Sequence, residues 1–372
     1  MYKRQYVDNK ISLLVFACLC SILFGNSAPF FNAWMRLGLF VLLLAAIFPW
    51  FDSDRLQEIR YAIFKWCIAL IVFVAVSSPI CYMFGINYMT KANQYVNFLT
   101  STPGWFGGLT RHSMTLGPIC ALSATFLTYI SFNNPAQSKK IKVILACCIF
   151  ASIAGALASA SRGAVASAVF GIIVCIFLCT RKRTGKTVSR LMQAIILCIV
   201  LYPVLSPFLI PVLNKQEQNI TRGGTFNSRE VLWNHRLSEF EEYPVFGIGF
   251  SSVDTKYDSD YDQATGIIEP GSSWLSILSM TGFLGTVSFL AIFFPTLSRL
   301  YKLSLYIPAA QMIFSLLSVY CIHMITEGYI FAAGNYLSIF FWILLGQGYL
   351  LSESVDIKSL NSDTSIINAS LQ

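Results

Sequence analysis

Runs of about 20 apolar residues, such as Phe31 to Trp50 and Tyr61 to Gly85, recur along the chain. Each is long enough for one helix to cross the hydrocarbon core of a bilayer. That recurrence leaves few folds open, because a segment in lipid must satisfy every backbone N–H and C=O within the protein, which restricts it to helices or a closed barrel. Alternating strand patterns are absent at that scale, so helices are expected. The 372 residues are 55% hydrophobic and 12% charged, against roughly 25% charged in an ordinary soluble domain. The expected fold is therefore an all-α polytopic membrane protein. About ten transmembrane helices are expected, near 11–28, 31–50, 61–85, 113–132, 143–161, 164–180, 191–212, 273–297, 303–325 and 336–352. The first follows Lys3, Arg4 and Lys10 and lacks a small-residue cleavage site after it, so it reads as a retained anchor.

The basic residues orient this arrangement. Lys3, Arg4, Lys10, Arg55, Arg60, Lys139, Lys140 and Lys142 all fall on one side of it, as do the cluster from Arg181 to Arg190, Arg299, Lys302 and Lys358. Positive-inside makes that side cytoplasmic. The net charge of +8 mostly reports topology and is no argument for nucleic acid. Residues 1–212 then carry helices one to seven, 213–271 form one large, partly helical external loop, 272–352 carry helices eight to ten, and 353–372 are a cytoplasmic tail. The eleven cysteines fall within or at the ends of the spans, without metal-ligand spacing, and read as packing residues.

Polarity concentrates outside. The loop from Leu213 to Gly271 holds ten of the 18 acidic residues. Within it, NSREVLWNHRLSEFEEY reads as an amphipathic helix near 228–243, with Asn227 and Glu230 resembling a capping box. At 100° per residue, Arg229, Trp233, Arg236 and Phe240 lie on one line along that helix, and His235 points away from it. A helix lying on the bilayer surface would share this pattern. Arg162, in the small-residue run ALASASRGAVASA, sits at the external mouth of a tight helical hairpin. An arginine there is either an interfacial anchor or a cation facing an anionic ligand, for which its planar fork suits phosphate. His112, beside Arg111 at the start of the fourth span, is an external candidate. His323 and Glu327 stand at i, i+4 near the external end of the ninth span, where a hydrogen bond or ion pair between them is expected.

Four motifs in order resemble the O-antigen ligase and O-antigen polymerase superfamily of bacterial inner-membrane proteins. They are SASRGA at 159–164, R-x-x-x-W at Arg229 to Trp233, YPVFGIGF at 243–250 and SSWLSILSMTGFLG at 272–285. The resemblance implies a multi-pass protein of the bacterial inner membrane, and the basic clusters then put both termini in the cytoplasm and the large loop in the periplasm. It also implies glycosyl transfer from a glycan carried on undecaprenyl diphosphate, with inversion and with no metal or other cofactor. A chain-length regulator and a flippase of the same pathway are the implied protein partners, and membrane lipid surrounds the chain. The family's arginines carry over to Arg162 and Arg229 as catalytic residues holding the diphosphate. Arg111, His112, Trp233, Arg236 and Glu327 are substrate-binding candidates, Glu327 matching an acidic position late in the family. Where ligases of the family carry a histidine at the start of the span after the loop, this chain has Gly271. That departure favours a polymerase of repeat units over a ligase to lipid A-core, and leaves Glu269 as the candidate base, with His112 and Glu230 behind it. The competing class is a polysaccharide transporter or flippase, which would show internal repeats and midplane charges.

Overall fold

The computed structural model describes residues 8–51, 53–84, 106–134, 137–181, 189, 213, 217, 227–257, 261–262 and 267–355. Ten helices account for most of these: α1 Asn9–Phe24, α2 Ala33–Ile47, α3 Asp54–Met83, α4 Ser113–Asn133, α5 Lys139–Ala158, α6 Arg162–Thr180, α7 Asn227–Glu242, α8 Ser273–Leu303, α9 Pro308–Thr326 and α10 Tyr336–Ser354. A 3₁₀ turn at Pro29–Phe31 leads into α2, and two-residue strands at Tyr261–Asp262 and Ile267–Ile268 pair antiparallel. Among the described residues seven helices are long and apolar enough to cross a membrane. The chain is thus a polytopic helical membrane protein.

The expected count of ten spans is not what these residues show. The run at 191–212 lies outside the described residues, α1 has only 16 residues, and α10 is not among the seven. Boundaries also move. Helix α3 starts at Asp54 rather than residue 61, and α8 runs to Leu303 before Ser304 caps it and Pro308 opens α9. The missing N–H of a proline costs nothing in a first helical turn, where no partner exists.

Contacts between helix termini define two ends of the bundle. At one end the backbone N–H of Asp8 donates to Trp50, and the guanidinium of Arg60 donates to the carbonyls of Ala45, Ala46 and Phe51, satisfying the open end of α2. Lys139, Lys140, Arg181, Arg299 and Lys302 belong to helix ends on that side. At the other end lie the start of α6 and the end of α9, so close that a Cβ on Gly163 would strike Thr326. A Cβ on Gly117 in α4 would likewise meet Ala164 at 2.7 Å and Ser159 at 2.8 Å. Lipid offers apolar side chains no drive to leave it, so helices in a membrane associate through such close packing instead. Between the ends, Trp342, Phe40, Phe48 and Phe289 are fully buried around one another. The indole N–H of Trp342 is not orphaned, since it donates to the carbonyl of Ile330 at 2.9 Å.

Helix α8 is broken at Gly282 (φ 60°, ψ −162°), and the break explains two of the sequence motifs together. In an unbroken helix the N–H groups of Phe283 and Leu284 would donate to Ser279 and Met280. Here they donate to Pro244 and Val245, while Ser279 and Met280 accept from Ile248 and Gly249. All four groups are satisfied by the PVFGIG segment, so the break strands none of these backbone groups in the interior. Gly247 (φ 77°) and Gly249 (φ 131°) supply the backbone turns that let this segment enter the gap. PVFGIGF and MTGFLG are thus the two halves of one structural joint, which fixes the end of α7 against α8.

Candidate active site

Arg162 is the first residue of α6, one step past a three-residue turn from α5. Ser161 caps the helix, its hydroxyl accepting from the N–H of Ala164 at 3.4 Å. Ala160 in the turn has φ 52°, a left-handed conformation that costs a residue with a Cβ roughly 1–2 kcal/mol. Both helices pack mainly against α4, and the turn between them places Arg162 where the positive end of the α6 dipole already favours an anion.

Arg229, in the first turn of α7, lies near Arg162; the two guanidinium charges repel each other. It is mostly buried and forms a fork between two carboxylates, Nη1 to Glu269 at 2.8 Å and Nη2 to Glu327 at 2.5 Å. Glu327 is 14% exposed and Glu269 is 53% exposed, so the second carboxylate is the looser arm. Two cations and two carboxylates therefore balance at the mouth of α6.

Glu327 is held through its backbone. Its carbonyl accepts from both the N–H (2.9 Å) and the hydroxyl (2.7 Å) of Ser273, whose oxygen also accepts from the N–H of Tyr329 at 3.1 Å. The expected pairing of His323 with Glu327 does not form. Helix α9 ends at Thr326, and Glu327 is its extended cap residue (φ −140°, ψ 138°), which turns the carboxylate away from the i, i+4 position. His323 is buried and meets the hydroxyl of Tyr329 at 3.2 Å instead. Burial, reinforced by the Glu327 charge, pushes the Tyr329 phenol well above its ordinary range, so it stays protonated.

Gly271 has φ 76°, and a Cβ there would come within 2.7 Å of the Leu232 Cβ. Its carbonyl accepts from the indole of Trp233 at 3.3 Å. The position is thus seated directly under α7, with no room for a side chain. Gly271→His is expected to lower stability by about 1–3 kcal/mol through backbone strain, visible as a lower unfolding temperature in detergent, without any gain in activity.

The amphipathic face of α7 turns into the protein. Arg236 is fully buried, 2.9 Å from the carboxylate of buried Glu239, and reaches the Ser252 carbonyl at 3.5 Å. Burial raises the Glu239 carboxyl to about 7, with Arg236 pulling the other way. Arg236 thus ties α7 to the following segment, about two turns along the helix from Arg229. Glu230 points outward and is exposed. His112 caps α4, its Nδ1 accepting from the N–H of Met114 at 3.1 Å, and Arg111 beside it is exposed. Asp258 and Asp260, among the loop's acidic residues, lie outside the described residues.

The segment that holds most of this geometry also carries a family signature. Residues 147–290 match the O-antigen ligase family. The match supports the O-antigen ligase and polymerase superfamily, as the four motifs implied. No curated protein matches the chain. The matched region contains Arg162, Arg229, Glu269 and the Gly282 joint; Glu327 and Arg36 lie outside it. Arg162 and Arg229, from two of the four motifs, lie close together. Arg36 had no part in the motif pattern, although a lone arginine inside an apolar run is the signal that marked Arg162.

Proposed function

We propose that this chain is a polymerase of undecaprenyl-diphosphate-linked oligosaccharide repeat units, acting at the periplasmic face of a bacterial inner membrane with both termini cytoplasmic. The convergence of Arg162 and Arg229 at one helix end, beside two carboxylates, carries the reading. Two preorganised guanidinium groups stabilise the charge that grows on a departing diphosphate, without need of a metal. The acceptor hydroxyl attacks the anomeric carbon from the face opposite the diphosphate. The new C–O bond forms as the C–O bond to phosphate breaks, and the leaving undecaprenyl diphosphate takes the electron pair. Glu269 takes the hydroxyl proton. The resting fork suits this sequence of events: an arriving diphosphate competes for Arg229 and releases the looser carboxylate to act as a base. Glu327, backbone-anchored, keeps Arg229 aimed.

The ligase reading rests on the family name of residues 147–290. Against it stands Gly271, where the fold leaves no space for a base. Deleting the gene is expected to leave surface glycan consisting of a single repeat unit attached to the lipid core. Long chains accumulating on the lipid carrier would instead establish a ligase, and loss of all external lipid-linked glycan would establish a flippase.

The orientation is tested separately. A cysteine introduced at exposed Glu241 should react with a membrane-impermeant maleimide added from outside, and one at Lys140 should not. The reverse pattern would place the arginines on the wrong side for this reaction.

A further inference from the structure

A second arginine lies within a span at the same end of the bundle. Arg36, in the first turn of α2, donates through Nη1 to the carbonyl of Ser251 at 3.3 Å and to its hydroxyl at 3.2 Å. Ser251 is held at φ 53°, a conformation that a residue with a Cβ rarely adopts. Arg36 and Ser251 line a cavity of about 280 Å³ with Ser276, Tyr329, Phe331 and Ala333.

This cavity shares a wall with the arginine fork. Glu269 and Glu327 hold Arg229, while their chain neighbours Ile268, Pro270 and Gly328 line the cavity. Pro270 and Gly328 are packed so tightly that a Cβ on the glycine would lie 2.5 Å from the proline ring. Arg36 lines the cavity, and the carboxylates next to the wall's Pro270 and Gly328 hold Arg229.

The lining combines aromatic and aliphatic surface with a guanidinium, two serines and the backbone of residues 328–334. A pyranose ring has that duality, with apolar C–H faces and a rim of hydroxyls. Binding sites of this kind use apolar walls for area and a few placed polar groups for orientation. The volume lies just under the roughly 300–1,000 Å³ of sites that enclose a whole small molecule, so a single ring fits and a chain must continue outside. Ala332 and Gly334, also lining it, are exposed.

We infer that this cavity is an acceptor subsite that takes the terminal pyranose ring of the acceptor glycan, with Arg36 and Ser251 bonding its hydroxyls. The inference rests on the glycosyl-transfer reading above and adds to it the place where the second substrate sits. The arginine pair takes the donor's diphosphate, and the wall between the two sites carries Glu269, the proposed base.

The test uses the full-length protein in detergent micelles, with a panel of methyl pyranosides as probes and saturation-transfer NMR as the readout. At least one pyranoside should bind, weaken at least tenfold in both Arg36→Gln and Ala333→Trp, and remain bound under saturating undecaprenyl diphosphate. Thermal unfolding of both variants checks that the fold is retained. Displacement of the pyranoside by undecaprenyl diphosphate would assign the cavity to the donor's phosphate and overturn the inference. So would the absence of saturable pyranoside binding across the panel, or wild-type polymer from cells producing normal amounts of Ala333→Trp. These outcomes leave the function itself standing if Arg229→Lys is inactive. A fully active Arg229→Lys would remove the function reading while leaving the sugar site intact.

Discussion

Cells carrying Arg229→Lys should make about 100- to 1,000-fold less polymer than wild type, the loss that follows removal of one preorganised donor to a developing oxyanion. Arg229 uses two separate nitrogens to reach Glu269 and Glu327 at once. A lysine ammonium is a single point on a flexible stem and cannot span both, nor present two parallel donors to a phosphate. The charge is unchanged, so the loss would report geometry rather than electrostatics at long range. Arg162→Lys should behave alike, because Arg162 sits at the same mouth and feels the Arg229 charge. The check is the length distribution of surface polysaccharide, alongside protein level and unfolding temperature. Normal polymer from well-folded Arg229→Lys would return the fork to a purely structural role.

Glu269→Gln should lower the rate of transfer by roughly 100- to 10,000-fold, the range over which positioned general bases act. Glutamine retains an oxygen that can accept from Arg229 Nη1, so the fork and the fold should survive. What it lacks is basicity toward the attacking hydroxyl. Binding of undecaprenyl diphosphate should therefore stay near wild type while turnover falls. The paired control is Glu327→Gln, at a residue whose backbone Ser273 holds and whose side chain is 14% exposed; it should disturb donor binding as well as turnover, since Glu327 aims Arg229. Full-length polymer from Glu269→Gln would remove Glu269 as an essential base and favour attack driven by departure of the diphosphate alone.

Much of the architecture was legible from composition and periodicity. Apolar runs of bilayer length specify helices whatever they pack against, because lipid leaves no other way to satisfy the backbone. The amphipathic helix near 228–243 appears at Asn227–Glu242, since a 3.6-residue pattern with two arginines and two aromatics on one face has one helical solution. Helix ends were less legible. The start of α3 at Asp54 and the length of α8 depend on caps and on polar turns that extend beyond the apolar run. The site was legible as types and order of residues. Motifs single out Arg162 and Arg229, and the missing histidine at Gly271 leaves Glu269 as the candidate base; that Arg229 meets Glu269 is not readable from either.

The sequence by itself determined a polytopic helical membrane protein, the helix near 228–243 and the arginines that its motifs single out, because these follow from local pattern and from the cost of charge near lipid. Only the tertiary structure decided which carboxylates Arg229 meets, since Glu269 and Glu327 lie 40 and 98 residues away in the chain. It decided that His323 turns to Tyr329, because α9 stops one residue before Glu327. It also decided why residue 271 is a glycine: the backbone there is left-handed and Leu232 of a distant helix fills the space a side chain would need. Each of these depends on contacts between segments far apart in sequence, and such contacts are set by how whole helices pack, which no local pattern encodes.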